Sequence, residues 1–241
     1  MNVYWLEQTL ADVPAENQWL SAEEILSLGR LRFAKRRNDW RLGRWTAKRA
    51  VAACLNLPCD VLGLAKIEIR ATASGAPEVF LVNQTAPVSI SLSHRAGTAM
   101  CAVALSGPGI GCDLEMVEPR SNAFIADYLT AREQTLVERT LEEERPLLVT
   151  LLWSAKESTL KALHIGLRLD TNCMDVSFID GLPRHTGQFR QDLPLVPMPE
   201  VDPDRWRPLH VRYSGEQVFS GWWRHADGMV RTLVGTEQIE H

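Results

Sequence analysis

The stretch Gly109-Ile110-Gly111-Cys112-Asp113-Leu114-Glu115 constrains this chain more than any other. Successive side chains of a β-strand point to opposite faces. Read as a strand over 110–115, it places Ile110, Cys112 and Leu114 on one face and Gly111, Asp113 and Glu115 on the other. The first face suits a core. The second carries two carboxylates two residues apart, and they repel each other. A hard divalent cation relieves that repulsion, and carboxylate oxygens suit Mg²⁺. For a bare Asp-x-Glu, an exposed strand edge with ordinary charges is the plainer account.

A second constraint lies at 146–164, which reads as a helix. Leu148, Leu152, Ala155, Thr159 and Leu163 recur at helical spacing as a core stripe. Trp153, Glu157 and Lys161 follow at i, i+4 and i+8 on a stripe beside it. Glu before Lys at i, i+4 is a good helix pair by itself, worth about 0.2–0.5 kcal/mol. That pair does not account for Trp153, although a tryptophan flanking the core would. A third signal is Ser89-Ile90-Ser91-Leu92-Ser93-His94, a strand pattern ending in histidine. A histidine there is ordinarily a polar loop residue. Its functional reading is a donor to phosphate.

Charge is unevenly spread. The 241 residues carry a net charge of −4, yet 30–49 hold nine basic residues against one acid, which leaves −12 for the remainder. A globally basic nucleic-acid binder is excluded on that balance, and an anion is expected at this segment. No window approaches the roughly 20 continuous apolar residues of a membrane span. Met1-Asn2-Val3-Tyr4-Trp5 lacks a basic region followed by an apolar run, so no secretory signal is expected. Five cysteines without a Cys-x-x-Cys pair argue against a disulfide framework or structural zinc, and point to a reducing cytoplasm.

Along the chain, 3–6 reads as a strand, and Ser21-Ala-Glu-Glu24 as a capping box opening a helix that ends near Gly29. A long helix is predicted over 33–55, with Phe33, Trp40, Ala47 and Val51 among its apolar positions and Pro58 closing it. Gly43 inside it suggests close packing. Strands follow at 66–70, 79–82, 88–93 and 100–105, with a turn at 74–77. Ser106-Gly-Pro-Gly109 is the clearest break, and the domain boundary is placed there. Beyond the strand at 110–115, helices are expected at 124–128 and 132–138 and strands at 209–213, 218–223 and 229–234, with Pro-rich 193–203 as surface loop. Elements come in blocks rather than strict alternation, which implies α+β with antiparallel sheet.

Each signal is weak alone, but their order is specific. A basic helix with Leu42-Gly43-Arg44, then Ser91-Leu92-Ser93-His94, then Gly109-Ile-Gly-Cys-Asp-Leu-Glu115, then Trp153-Ser-Ala-Lys-Glu-Ser-Thr-Leu-Lys161 resembles the 4′-phosphopantetheinyl transferase superfamily, Sfp type. The resemblance runs from about Phe33 to Lys161. It implies an α+β fold of two similar halves related by a pseudo-twofold axis, 1–107 and 108–241, with coenzyme A between them. It implies transfer of the 4′-phosphopantetheine arm of coenzyme A to a serine of an apo acyl or peptidyl carrier protein, releasing adenosine 3′,5′-bisphosphate. Asp113, Glu115 and Glu157 would hold Mg²⁺, or Mn²⁺. Glu157 would be the general base, Lys161 would neutralise the phosphate under attack, and Trp153 would pack under the site.

For coenzyme A itself, the resemblance points to Lys35, Arg36, Arg37 and Arg44, with Ser93, His94 and Lys161. Fatty-acid, polyketide and nonribosomal peptide carriers all fit. The length fits the family's monomeric class, and the cysteines, charge and hydropathy point to a cytoplasmic enzyme with no nucleic-acid or membrane partner. The family often has Gly-Lys-Pro where this chain reads Gly75-Ala76-Pro77, and Lys-Glu-Ala where it reads Lys156-Glu157-Ser158. Two alternatives use the same residues: a Mg²⁺-dependent nucleotide phosphohydrolase, and a degenerate module that only binds carrier proteins.

Overall fold

The structure is a computed structural model, and it describes residues 3–105, 109–165, 169–178, 206–213 and 217–236. Strand β1 (Val3–Thr9) opens the chain, followed by helices α1 (Ala22–Gly29), α2 (Ala34–Cys54) and α3 (Val61–Ala65). Next come β2 (Ile67–Ala71), β3 (Pro77–Leu81), β4 (Gln84–Thr85), β5 (Val88–Arg95) and β6 (Thr98–Leu105). Then follow β7 (Ile110–Met116), α4 (Asn122–Tyr128), α5 (Ala131–Arg139), α6 (Arg145–Ala162), β8 (Met174–Phe178), β9 (Arg207–Tyr213), β10 (Gln217–Ala226) and β11 (Met229–Gly235). Mixed helix and antiparallel sheet is α+β, as the block pattern implied.

The strands form three sheets, ordered β1-β6-β5, β2-β3-β4 and β7-β11-β10-β9-β8. Register is set by apolar alternation. In β2, Ile67 and Ile69 are buried while Glu68 and Arg70 lie at the surface margin. Helix α2 covers the first sheet, with Leu42, Ala47, Val51 and Ala52 fully buried. Helix α6 covers the five-stranded sheet, burying Leu148, Leu151, Leu152 and Ala155 completely. Each such leucine contributes roughly 1.5–3 kcal/mol. A third cluster joins Met100, Ala102 and Ala104 of β6 to Ile110 and Cys112 of β7 and Leu233 of β11. Strand β7 therefore lies against β5 and β6 as well as in its own sheet; the Cys112 amide donates to Ser91 Oγ at 2.9 Å.

Several sequence expectations change. Phe33 is the N-cap of α2 and 73% exposed, so it is no core position. A Cβ added at Gly43 would meet nothing within 4 Å; the residue faces a cleft rather than a close contact. The α2 helix ends at Cys54, before Pro58. Helix α3 and strands β4 and β8 were not expected. They are short, and short elements carry little periodicity. The proposed break at 106–108 and the loop at 193–203 lie outside the described residues. No helix among the described residues is long and apolar enough to cross a membrane.

Candidate active site

The acidic face of β7 is not a solvent edge. Helix α6 lies directly on it: a Cβ at Gly111 would overlap the Ser158 carbonyl oxygen, and one at Gly109 would overlap that of Ala162. Two glycines thus let the helix approach until Glu157 and Lys161 reach the strand's carboxylates. Asp113 is 4% exposed, and Glu115, Glu157 and Lys161 are half-buried. This overturns the exposed-edge account of the Asp-x-Glu pair.

Lys161 does not pair along its own helix with Glu157. Its Nζ donates to Asp113 Oδ1 at 2.8 Å and to the Cys112 carbonyl at 3.0 Å. Burial works against the ammonium, but Asp113, Cys112 and Glu157 together outweigh it and Lys161 is held above its ordinary value. Ser93 Oγ also donates to Asp113 Oδ1, at 2.9 Å, so this serine stands on the acid side of the site. Asp113 Oδ2 is buried and has no hydrogen-bond partner. Glu115 faces Arg120 at 3.4 Å and Arg95 at 3.8 Å, and Trp153 hydrogen-bonds to its carboxylate. Burial and then the Asp113 charge push Glu115 upward. Burial, Asp113 and Glu115 together push Glu157 up to about 7, despite Lys161.

Three carboxylates act on one another here, and Glu157 has no direct ion pair of its own among the described residues. An orphaned buried oxygen and carboxylates raised by their neighbours are what a hard divalent cation would relieve. The all-oxygen donor set fits Mg²⁺ or Mn²⁺. As placed, no three His, Cys, Asp or Glu residues among the described residues are gathered closely enough to hold a metal. Arg95 and Arg120 pair with Glu115, and Lys161 with Asp113, instead.

From Lys161, beside the acids, a cleft of adjoining cavities runs along β5 to the start of α2. Its outer part, about 460 Å³, is lined by Phe33, Lys35, Arg36, Asp39, Trp40 and His94. A middle part of about 290 Å³ includes Arg44, Arg70, Gly43, Gly75, Ser93 and His94. An inner part of about 230 Å³ reaches Lys161 between the turn at 74–77 and the end of α6. The structure therefore brings Lys35, Arg36, Arg44, Ser93, His94 and Lys161 to this cleft. Arg37 lines none of these three parts.

The first turn of α2 carries Lys35, Arg36 and Arg37 but no acid, and Phe33 provides no side-chain cap. Cations at a helix N-terminus oppose its dipole, each at roughly 0.3–1 kcal/mol. That arrangement is unfavourable unless an anion sits there. Lys35 holds Asp39 at 2.7 Å, and Arg44 stacks over Trp40 at 4.9 Å while facing Glu24 at 3.7 Å. Sequence reasoning missed Arg70, which β2 carries to the same cleft. Its Nε bonds Glu68 at 2.6 Å and its guanidinium stacks over Phe80 at 4.0 Å. It missed Arg95 and Arg120 too; Arg95 directly follows the Ser-His motif, which was the one available signal.

Trp153 packs edge-on against Phe124 and Tyr128, with ring centroids 5.2 and 4.9 Å away. It braces α6 against α4 beneath the acids.

Residues 109–226 match the family described as the 4′-phosphopantetheinyl transferase superfamily, a span just short of half the chain that contains β7 and α6. The match supports that superfamily and a transferase activity. Among solved structures, the chain is similar to Helicobacter pylori holo-[acyl-carrier-protein] synthase in complex with coenzyme A. Identity is 20%, 43% of this chain and 99% of that one are covered, and the TM-score is 0.34. No curated protein matches the chain.

Proposed function

We propose that this chain moves the 4′-phosphopantetheine arm of coenzyme A onto a serine of an apo acyl or peptidyl carrier protein, as an Sfp-type enzyme, and releases adenosine 3′,5′-bisphosphate. One observation carries the reading. Lys161, bonded to Asp113 beside Glu115 and Glu157, lines the inner end of a cleft whose middle carries Arg44 and whose outer end is lined by Lys35, Arg36 and His94. A diphosphate with a further phosphate on its ribose has charges at both places.

The basic mouth at the start of α2 would receive the 3′-phosphate, and Trp40 would offer an apolar face to the nucleoside. Asp113, Glu115 and Glu157 would hold Mg²⁺ or Mn²⁺, which supplies Lewis-acid charge to the diphosphate. The carrier's serine oxygen forms the new bond to the phosphorus that bears pantetheine. The bond from that phosphorus to the oxygen of the nucleotide 5′-phosphate breaks, and the bisphosphate leaves with it. Glu157 accepts the serine proton; it is on a fully packed helix, so its position is held without reorganisation. Lys161 neutralises charge developing on the phosphates. The positive surface around Arg36 and Arg37 would speed encounter with an acidic carrier. The division into halves 1–107 and 108–241, related by a pseudo-twofold axis, is supported by a buried ion pair repeated in each half.

Incubation with coenzyme A, Mg²⁺ and a panel of apo carriers tests the proposal. The expected outcome is a carrier heavier by one phosphopantetheine unit. Unchanged carrier masses across acyl and peptidyl carriers would overturn it. Hydrolysis of coenzyme A with no carrier present would favour a phosphohydrolase.

A further inference from the structure

The inner end of the cleft contains a residue with no place in the scheme above. Helix α6 is capped by Leu163, and the next residue, His164, has φ +56°. That position after a helix end is usually glycine, because the left-handed region is open to glycine without penalty. Histidine enters it more readily than most L-residues but still at a cost. The amide of His164 closes the helix on the Lys161 carbonyl at 3.1 Å. This fixes where its side chain leaves the backbone.

It leaves toward the cleft. His164 and Lys161 line the same inner cavity of about 230 Å³. The opposite wall is Ser74, Gly75, Ala76 and Pro77, which brings no charged group. The floor is Leu92 and Leu160. A phosphate entering here would find Lys161 already drawn toward Asp113 and only hydroxyl, methyl and ring groups across from it. Among the described residues lining this cavity, His164 is the ring N–H donor.

We propose that His164 is a binding residue that donates a hydrogen bond to the diphosphate of a coenzyme A donor, on the pantetheine side, beside Lys161. The proposal rests on the reading of the cleft given above. A hydrogen bond to a charged group is of the same size as the backbone cost of a left-handed histidine and can offset it. The residue therefore exchanges some helix-end stability for a contact with substrate.

Glycine at 164 separates the two effects. The experiment titrates wild type and His164→Gly with coenzyme A and, separately, with adenosine 3′,5′-bisphosphate, which lacks the pantetheine-bearing phosphate. A thermal unfolding scan accompanies each protein. His164→Gly is expected to melt no earlier than wild type, to bind coenzyme A about tenfold more weakly, and to bind the bisphosphate as wild type does. Unchanged coenzyme A affinity overturns the inference. So does an equal loss for both ligands, which would make the effect one of general cleft shape. Wild type that binds no coenzyme A overturns both this inference and the function it rests on.

Discussion

Two regions of the molecule are built on the same buried contacts. In the first, Ser21 and Glu24 form a capping box on α1, and Glu24 Oε1 accepts from the Ile69 amide at 3.1 Å. Lys48, fully buried on α2, pairs with Glu24 and donates to the Trp19 carbonyl at 2.9 Å. In the second, Thr130 and Glu133 form a capping box on α5, and Glu133 Oε1 accepts from the Val176 amide at 2.9 Å. Lys156, fully buried on α6, pairs with Glu133 at 2.6 Å and donates to the Tyr128 carbonyl at 2.9 Å. Trp19 and Tyr128 each stand two residues before their cap. The helices read Trp45-Thr-Ala-Lys48-Arg49 and Trp153-Ser-Ala-Lys156-Glu157.

The difference falls one residue after each lysine. Arg49 stacks over Trp45 at 5.7 Å, away from chemistry. Glu157 faces Asp113 and Glu115. The lysine is scaffold in both regions: it compensates a buried carboxylate and fixes how the helix is rotated. The neighbouring residue is then free to carry function, and in only one region does it carry an acid. The motif Lys156-Glu157 thus divides into an anchor and a working group.

The comparison can be broken at its functional end first. Glu157→Gln should reduce transfer to carrier by about 10²–10⁴-fold, while Arg49→Gln leaves it near wild type, as read by mass spectrometry of the carrier. Near-normal turnover in Glu157→Gln would remove it from catalysis. Next come the anchors. Lys156→Met and Lys48→Met each strand a buried carboxylate, at about 3–5 kcal/mol, measured by urea unfolding. Similar losses at both sites support a shared scaffold; a Lys156→Met protein of wild-type stability but no activity would make Lys156 catalytic.

A smaller effect sharpens what the basic helix does. Arg36→Ala should raise the KM for coenzyme A roughly tenfold with kcat little changed, and Arg37→Ala should not, because only Arg36 lines the cleft. Equal effects would mean the segment acts through net charge alone.

The smallest effect tests the seam between the regions. Arg231 of β11 reaches across to Glu7 of β1, Nη2 to Oε1 at 2.7 Å, and lies near His225. Burial, and then the Arg231 charge, lower the His225 pKa from 6.5. The unfolded chain therefore binds that proton more readily than the folded one. Stability from this group is complete above pH 6.5 and declines as pH falls below it. His225→Gln should flatten that part of the stability curve; an unchanged slope would discharge His225 from the seam.

Much of this was legible from residues alone. The Ser21–Glu24 box, the long basic helix, the alternation of β7 and the core stripe of α6 are local patterns, set by strand and helix periods and by cap chemistry. Thr130-Ala-Arg-Glu133 carries the same box at the start of the helix expected over 132–138, a cap the sequence reading did not use. The burial of Lys48 and Lys156 was not legible, since nothing local says that a lysine will meet a buried glutamate. The pairing of Glu157 with Lys161, sound on helix spacing, gave way to Lys161 with Asp113 across the strand.

The physical reason is range. The order of residues determined which stretches would be helix or strand, where charge would concentrate, and that two acids would share one face of β7. Only the packed structure decided what lies on that face. Gly109 and Gly111 admit α6 to within backbone contact, so the acids meet Glu157 and Lys161 instead of water. Whether Asp-x-Glu is an idle edge or a site turns on that approach, and it is made by residues some fifty positions apart.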